Sequence, residues 1–168
     1  MHQHRIIHRD LKPENIMCRN AFSLESVIVD FGLACHADEE KYLFTRCGTP
    51  GYVAPEIISL GDNQHVEPEC DVFSLGVIFH ILLTRKALFE GKGYNEVYKK
   101  NKEMDFNLQG PLYKDVDPQA LDLLHKMLIA DPKKRITANQ ALRHPFFEVT
   151  NDGDVSIFSP TLTAATKK

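Results

Sequence analysis

The apolar positions of this chain fall into a few separated runs, and their periods predict the elements. "NIMC" at 15–18 and "SVIV" at 26–29 are short apolar runs on either side of a turn-like stretch. They predict a small two-stranded hairpin. From Gly32 to Gly51, charged, small and Thr/Pro/Gly residues follow with no period. That reads as a long loop, and long loops inside compact domains usually carry function. "CDVFSLGVIFHILL" at 70–83 is apolar on nearly every face. It predicts a helix in the middle of a domain, with a neighbour on every side. It is too short, and too interrupted by Asp71, Ser74 and His80, to span a bilayer.

Two further helices carry end signals. In "DPQALDLLHKMLIADP" Asp117 stands as N-cap and Pro118 at the first helical position, with Leu121, Leu124 and Leu128 on one face. This helix is expected to stop at Asp131–Pro132. "TANQALRHPFF" opens with a Thr137–Gln140 capping box and is expected to end before Pro145. Residues 148–168 are Ser/Thr-rich and aperiodic, which predicts a flexible tail. No internal repeat is visible. The expected architecture is a mainly α unit over 1–147, with a small β-hairpin carrying the chemistry.

Composition narrows the class without naming it. The chain has 168 residues, 43% hydrophobic and 26% charged, enough for one soluble domain with a real core. A net charge of −3 gives no general pull toward nucleic acid or an anionic membrane. In "YKKNKE" the lysines are interleaved with Glu96 and Glu103, so a solvated helix face is the better reading. The four cysteines form no CxxC pair, and "MHQHRIIHRD" lacks the apolar core of a secretory leader. Reduced thiols in the cytosol or nucleus are the expectation. His4 and His8 are four apart but enclose no Glu in the HExxH manner, so histidine metal binding ranks below the bland reading.

"HRDLKPEN" at 8–15 holds the densest chemistry. Phosphoryl transfer needs a carboxylate at the attacking hydroxyl, a cation on the moving phosphate, and hard oxygen ligands for Mg²⁺. Asp10 offers the first, Lys12 the second, and Asn15 a carbonyl oxygen for the metal. Pro13 restricts the loop between them. "VDFGLA" offers a second carboxylate, Asp30, at the end of a strand and before Gly32, where the backbone can turn sharply. Taken singly, each Asp is more often a turn or cap residue.

The order of the motifs overturns that prior. "HRDLKPEN", then "DFG", then "GTPGYVAPE", then "DVFSLG" and Arg135 in "DPKKRIT" resemble the protein kinase family in sequence and spacing. The resemblance covers roughly residues 1–147. It implies the C-terminal lobe of a eukaryotic serine/threonine kinase catalytic domain, most similar to the calcium/calmodulin-dependent group. It implies ATP and Mg²⁺ as cofactors and protein substrates as partners, with no nucleic acid and no membrane. By resemblance Asp10 is the catalytic base, Lys12 steadies the γ-phosphate, and Asn15 and Asp30 hold the metal. Thr49 would bridge Asp10 and Lys12. Arg9 before Asp10 resembles kinases switched by activation-loop phosphorylation, and Thr45 is the candidate acceptor. Glu14 is the candidate contact to a substrate arginine, with a merely solvated carboxylate as the equal alternative. Glu56 and Arg135 resemble the family's buried ion pair. Asp71 resembles the residue that anchors the catalytic-loop backbone, and His8 and Phe31 would pack on each other as core links.

The sequence departs from the family at Phe73, where Trp is usual, and at "RKALFEGK", which replaces a Gly- and Pro-containing loop near the substrate side. No Gly-rich phosphate loop or VAIK-type lysine occurs in the chain, and "GKGYNE" at 91–96 lacks the third glycine. The N-terminal β lobe, roughly a hundred residues in the family, is therefore expected to be absent, and the chain inactive by itself. The alternatives are a truncated lobe that serves as a protein-binding module and a pseudokinase-like scaffold. The intact Asp10, Lys12, Asn15 and Asp30 argue against it.

Overall fold

The computed structural model describes residues 1–20, 25–39, 42, 44–61 and 65–148. The expected flexible tail and the Ser159–Pro160 step within it lie outside the described residues, apart from Glu148. The fold is mostly helical with two small antiparallel sheets. The expected hairpin forms from β2 (Ile16–Cys18) and β3 (Ser26–Ile28), in the register Ile16↔Ile28 and Cys18↔Ser26.

The other sheet corrects the sequence reading of 32–51 as loop throughout. β1 (Ile6–Ile7) pairs with β4 (Cys35–His36), with Ile7 opposite Cys35. Ile7 and Cys35 are buried, while their neighbours Ile6 and His36 face outward. A two-residue strand is too short to show a period of two, so its sequence carries no signal. This pairing ties the segment after "DFG" back to the segment before "HRD".

Six α-helices follow among the described residues: α1 (Pro55–Ile58), α2 (Glu69–Thr84), α3 (Tyr94–Glu103), α4 (Pro118–Met127), α5 (Ala138–Ala141) and α6 (Pro145–Glu148). None is long and apolar enough to cross a membrane. α2 is the central helix, and Val72, Phe73 and Val77 are at most 2% exposed. Its polar residues are inside as well: Ser74 Oγ donates to Tyr52 O at 2.9 Å. The expectation of a neighbour on every side fails at one position, Leu82, which is 60% exposed. It also weakens along Leu75, which lines an apolar trough of about 570 Å³ with Met1, Leu11 and Ile28.

α2 lies against α4 because Gly76 lets the helices approach closely. A β-carbon on Gly76 would sit 3.0 Å from both Leu128 Cδ2 and Met127 Cβ. Gly76→Val should therefore overpack this contact and destabilise the fold by about 1–3 kcal/mol. A lowered denaturant midpoint with unchanged slope is the expected readout. An unchanged midpoint would show that α4 can move away at no cost.

The caps read from sequence are present. Asp117 accepts from Gln119 N at 2.8 Å and Ala120 N at 3.0 Å. Thr137 and Gln140 make a reciprocal capping box. α4, however, ends at Met127, short of the expected stop at Asp131–Pro132. The physical reason is Arg135, whose Nε donates to Ile129 O at 2.8 Å and Nη2 to Ala130 O at 3.1 Å. Those carbonyls find their partner outside the helix, and the chain turns to meet it. The chain after α5 turns into α6, where Phe146 meets Phe79 of α2 edge-to-face at 5.3 Å.

Candidate active site

The segment 8–15 is held from below by a carboxylate of α2. Asp71, 1% exposed, accepts from Arg9 N through Oδ1 at 2.9 Å and from His8 N through Oδ2 at 2.8 Å. Arg9 takes a left-handed backbone, φ 66°, which a non-glycine residue adopts only where the surroundings compel it. His2 Nε2 lies 2.8 Å from the same Asp71 Oδ2. Sequence reasoning missed His2, and no local pattern marks it, because its partner is 69 residues away.

On this support three side chains close a triangle. Lys12 Nζ donates to Asp10 Oδ2 at 2.8 Å and to Thr49 Oγ1 at 3.0 Å, and Thr49 Oγ1 donates to Asp10 Oδ1 at 2.6 Å. The hydrogen bond to Asp10 raises the Lys12 pKa above the ordinary lysine value, against an opposing cost of burial. Lys12 is extended, φ −155°, and the short turn Pro13–Asn15 follows it. That turn brings Asn15 back, so that its Nδ2 donates to Asp10 O at 2.9 Å. The amide nitrogen is committed there, which leaves Asn15 Oδ1 as the atom for another partner. Thr49 can reach Asp10 because Gly48 precedes it, with φ 109° and no room for a β-carbon, which would sit 2.9 Å from Arg9 O.

Asp30 reaches the same place through β3. Val29 N donates to Asn15 O at 3.0 Å, and His8 Nε2 lies 3.0 Å from Val29 O. Asp30, the next residue, is exposed and itself left-handed at φ 63°. The sharp turn expected at Gly32 therefore falls on Asp30. Gly32 N donates to Asp30 Oδ1 at 3.2 Å. His8 and Phe31 are in edge-on contact at 5.0 Å, yet Phe31 is 50% exposed, so only His8 belongs to the core. The Asn15 amide oxygen and the Asp30 carboxylate are hard oxygen donors on adjoining backbone. They suit Mg²⁺ and not a softer transition metal.

Arg9 organises the segment that follows. Its Nε donates to Leu33 O at 2.7 Å and its Nη1 to Phe44 O at 2.7 Å, while its guanidinium lies over the Tyr42 ring at 5.3 Å. Thr45 follows Phe44 directly and is half-buried. Arg46 Nε donates to Leu60 O at 2.9 Å. Glu14 is exposed, and it lies near enough to Tyr52 to add to the effect of burial, which pushes that phenol's pKa up. Beside residues 46–50 is a cavity of about 170 Å³, lined by Pro50, Val53, Ile57, Tyr94 and Tyr98. The two tyrosines stack at 6.1 Å.

Glu56 and Arg135 lie behind this floor. Arg135 Nη1 donates to Glu56 Oε1 at 2.7 Å and Nη2 to Oε2 at 2.9 Å. Nη1 also donates to Glu69 O at 2.8 Å, and the guanidinium lies over the Phe73 ring at 5.0 Å. The pair joins α1 to α2 and to the 129–135 turn.

Comparison with known proteins gives this arrangement a family. The model for the protein kinase domain matches residues 1–147. A Dictyostelium discoideum protein named "Probable serine/threonine-protein kinase fhkC" is 39% identical over 147 residues, covering 88% of this chain and 25% of that protein. A second Dictyostelium protein, named as a probable myosin light chain kinase, is 37% identical over 161 residues, 95% of this chain and 40% of its own length. Human calcium/calmodulin-dependent protein kinase type IV is 36% identical over 148 residues, 87% of this chain and 31% of that protein. The chain thus spans between a quarter and two fifths of these relatives' length. A kinase-domain match over 1–147 and three relatives named as protein kinases, on a mostly helical fold, establish that this chain belongs to the protein kinase family and carries part of its catalytic domain.

Proposed function

We propose that this chain supplies the base and the metal ligands of a serine/threonine protein kinase. The observation that carries the reading is the Asp10–Lys12–Thr49 triangle standing beside Asn15 and Asp30. Asp10 takes the proton from the attacking substrate hydroxyl. Lys12, held by Asp10 and Thr49, places its positive charge where negative charge develops on the transferring group. Thr49 fixes the Asp10 carboxylate by its hydroxyl at Oδ1, and Lys12 by its ammonium at Oδ2. Asn15 Oδ1 and the Asp30 carboxylate would hold Mg²⁺. The metal, when bound with ATP, neutralises charge on the phosphates. Glu14, exposed at the edge of the site, favours substrates with a basic residue near the acceptor. A cytosolic or nuclear setting belongs to the same reading.

The test is ATP-dependent labelling of a basic serine/threonine peptide by the intact protein, because the residues here include neither a Gly-rich loop nor the strand lysine. Label on serine or threonine, and none on a matched tyrosine peptide, is expected. No incorporation under activating conditions would overturn the reading.

Thr45 is the proposed switch. A phosphate there adds close to two negative charges one residue from the carbonyl that Arg9 already holds. It would pair with Arg9 and Arg46 and order the segment. Phosphorylation should raise activity and protect residues 38–50 from protease. A Thr45→Ala protein with normal activity across activating conditions would refute the switch.

A further inference from the structure

One residue breaks the solvated face expected of "YKKNKE". Lys99, Lys102 and Glu103 are exposed, but Asn101 of α3 is 0% exposed. A neutral amide taken fully out of water needs partners for both of its halves. Asn101 finds them on one short stretch of backbone. Its Oδ1 accepts from Gly51 N at 2.9 Å, and its Nδ2 donates to Val53 O at 3.0 Å. Turning the amide over would set N–H against N–H and oxygen against oxygen, so the partners fix this orientation.

The stretch it holds is the one that delivers Thr49. Tyr52 N and Val53 N both donate to Thr49 O at 3.0 Å, so residues 49–53 form one tight turn. Gly51 is left-handed in that turn, φ 90°, and a β-carbon there would lie 3.3 Å from Val97 Cγ1 of α3. At the start of the turn, Thr49 Oγ1 donates to Asp10 Oδ1 and accepts from Lys12 Nζ. Hydrogen bonds and a single turn thus connect Asn101 to the Asp10 carboxylate. Ser74 Oγ holds Tyr52 O separately, so the turn stays attached to α2 without Asn101. What Asn101 adds is the orientation of the Gly51 and Val53 peptide groups.

We propose that Asn101 is a positioning residue for phosphoryl transfer: by clamping Gly51 N and Val53 O, it sets the turn that aims the Thr49 hydroxyl at Asp10. The proposal rests on the kinase reading above and adds to it a residue of α3 that lies outside every motif of the site. The effect of Asn101 on the reaction runs through Thr49. An asparagine that only filled a place in the fold would act on the rate in the same way whether or not the Thr49 hydroxyl were present.

The experiment is a double-mutant cycle in the intact protein, with kcat and KM for ATP read by ATP-dependent labelling of a basic serine/threonine peptide. The variants are Asn101→Ala, Thr49→Val and the two together. Thr49→Val keeps the branched shape and removes the hydroxyl. Asn101→Ala should lower kcat about tenfold, within the loss that misplacement from outside the chemistry produces. KM for ATP should change by less than about twofold, because the loss falls on the transfer step. In the Thr49→Val background the same substitution should change kcat by less than about twofold, since residues that act through one another do not add. Asn101→Asp keeps the shape and the acceptor for Gly51 N and loses only the donor to Val53 O. If Asn101→Ala does not fold, Asn101→Asp takes its place in the cycle, with the same dependence on Thr49 expected. Unchanged kcat in the Asn101 variants would overturn the proposal, and so would a loss that persists undiminished in the Thr49→Val background. Either result leaves the kinase reading standing. An unsubstituted protein that transfers no phosphate would remove that reading, and this proposal with it.

Discussion

Asp10→Asn in the intact protein should lower the rate of phosphoryl transfer by about 10² to 10⁴ fold, the range for removing a positioned base. Asn is the right probe because it keeps the shape of the side chain. Its amide oxygen can still accept from Lys12 Nζ, which now lies 2.8 Å from Asp10 Oδ2. What it loses is the negative charge that takes a proton. The loss should therefore fall on kcat, with KM for ATP little changed. Asp30→Asn should lower activity at least as much, but through metal affinity, so raised Mg²⁺ should restore part of it. Raised Mg²⁺ should restore nothing in Asp10→Asn. Near-normal rates in both variants would remove the assignment of base and metal ligand, and equal rescue of both by Mg²⁺ would remove the division between them.

Arg135→Met should destabilise the fold by about 3–5 kcal/mol, the cost of removing one partner from a buried ion pair. A whole domain has only about 5–15 kcal/mol. The Arg135 side chain is 0% exposed and Glu56 18%. Its donors reach both Glu56 oxygens and the carbonyls of Ile129, Glu69 and Ala130. Methionine fills similar volume but leaves the Glu56 charge and those carbonyls without a donor. Arg135→Lys should recover little of the loss, because an ammonium cannot present five donors in a plane. Chemical denaturation of the intact protein reads both. If Arg135→Lys came within about 1 kcal/mol of the native protein, a surface-type charge pair would be sufficient.

The readings that held from sequence to structure are local ones. The caps at Asp117 and Thr137 are legible because the side chain and the N–H it accepts from lie within three residues. The β2–β3 hairpin is legible because only seven residues, 19–25, separate its strands in the chain. The elements that were missed rest on distant partners. β1 pairs with β4 across about thirty residues, and two-residue strands have no readable period. The end of α4 is set by Arg135, which no helix-stop rule anticipates. The same holds in the site. The motif order picks out Asp10, Lys12, Asn15 and Asp30, but His2 has no motif of its own and comes into view only through Asp71.

By itself the sequence determined which chemical groups are available and in what order along the chain. It also determined which family the chain resembles, because spacing among "HRDLKPEN", "DFG" and "GTPGYVAPE" is a property of the chain alone. The tertiary structure decided which of those groups meet. Thr49 reaches Asp10 from 39 residues away, and Glu56 reaches Arg135 from 79. It also decided that His80, one apolar-helix histidine among eight in the chain, ends buried with its Nε2 2.9 Å from Tyr113 Oη, 33 residues away. The physical reason is that a hydrogen bond is satisfied within about 3 Å of space, whatever the separation in sequence. A single sequence records the donor and the acceptor, and only the packing of α2 against its neighbours brings them within that distance.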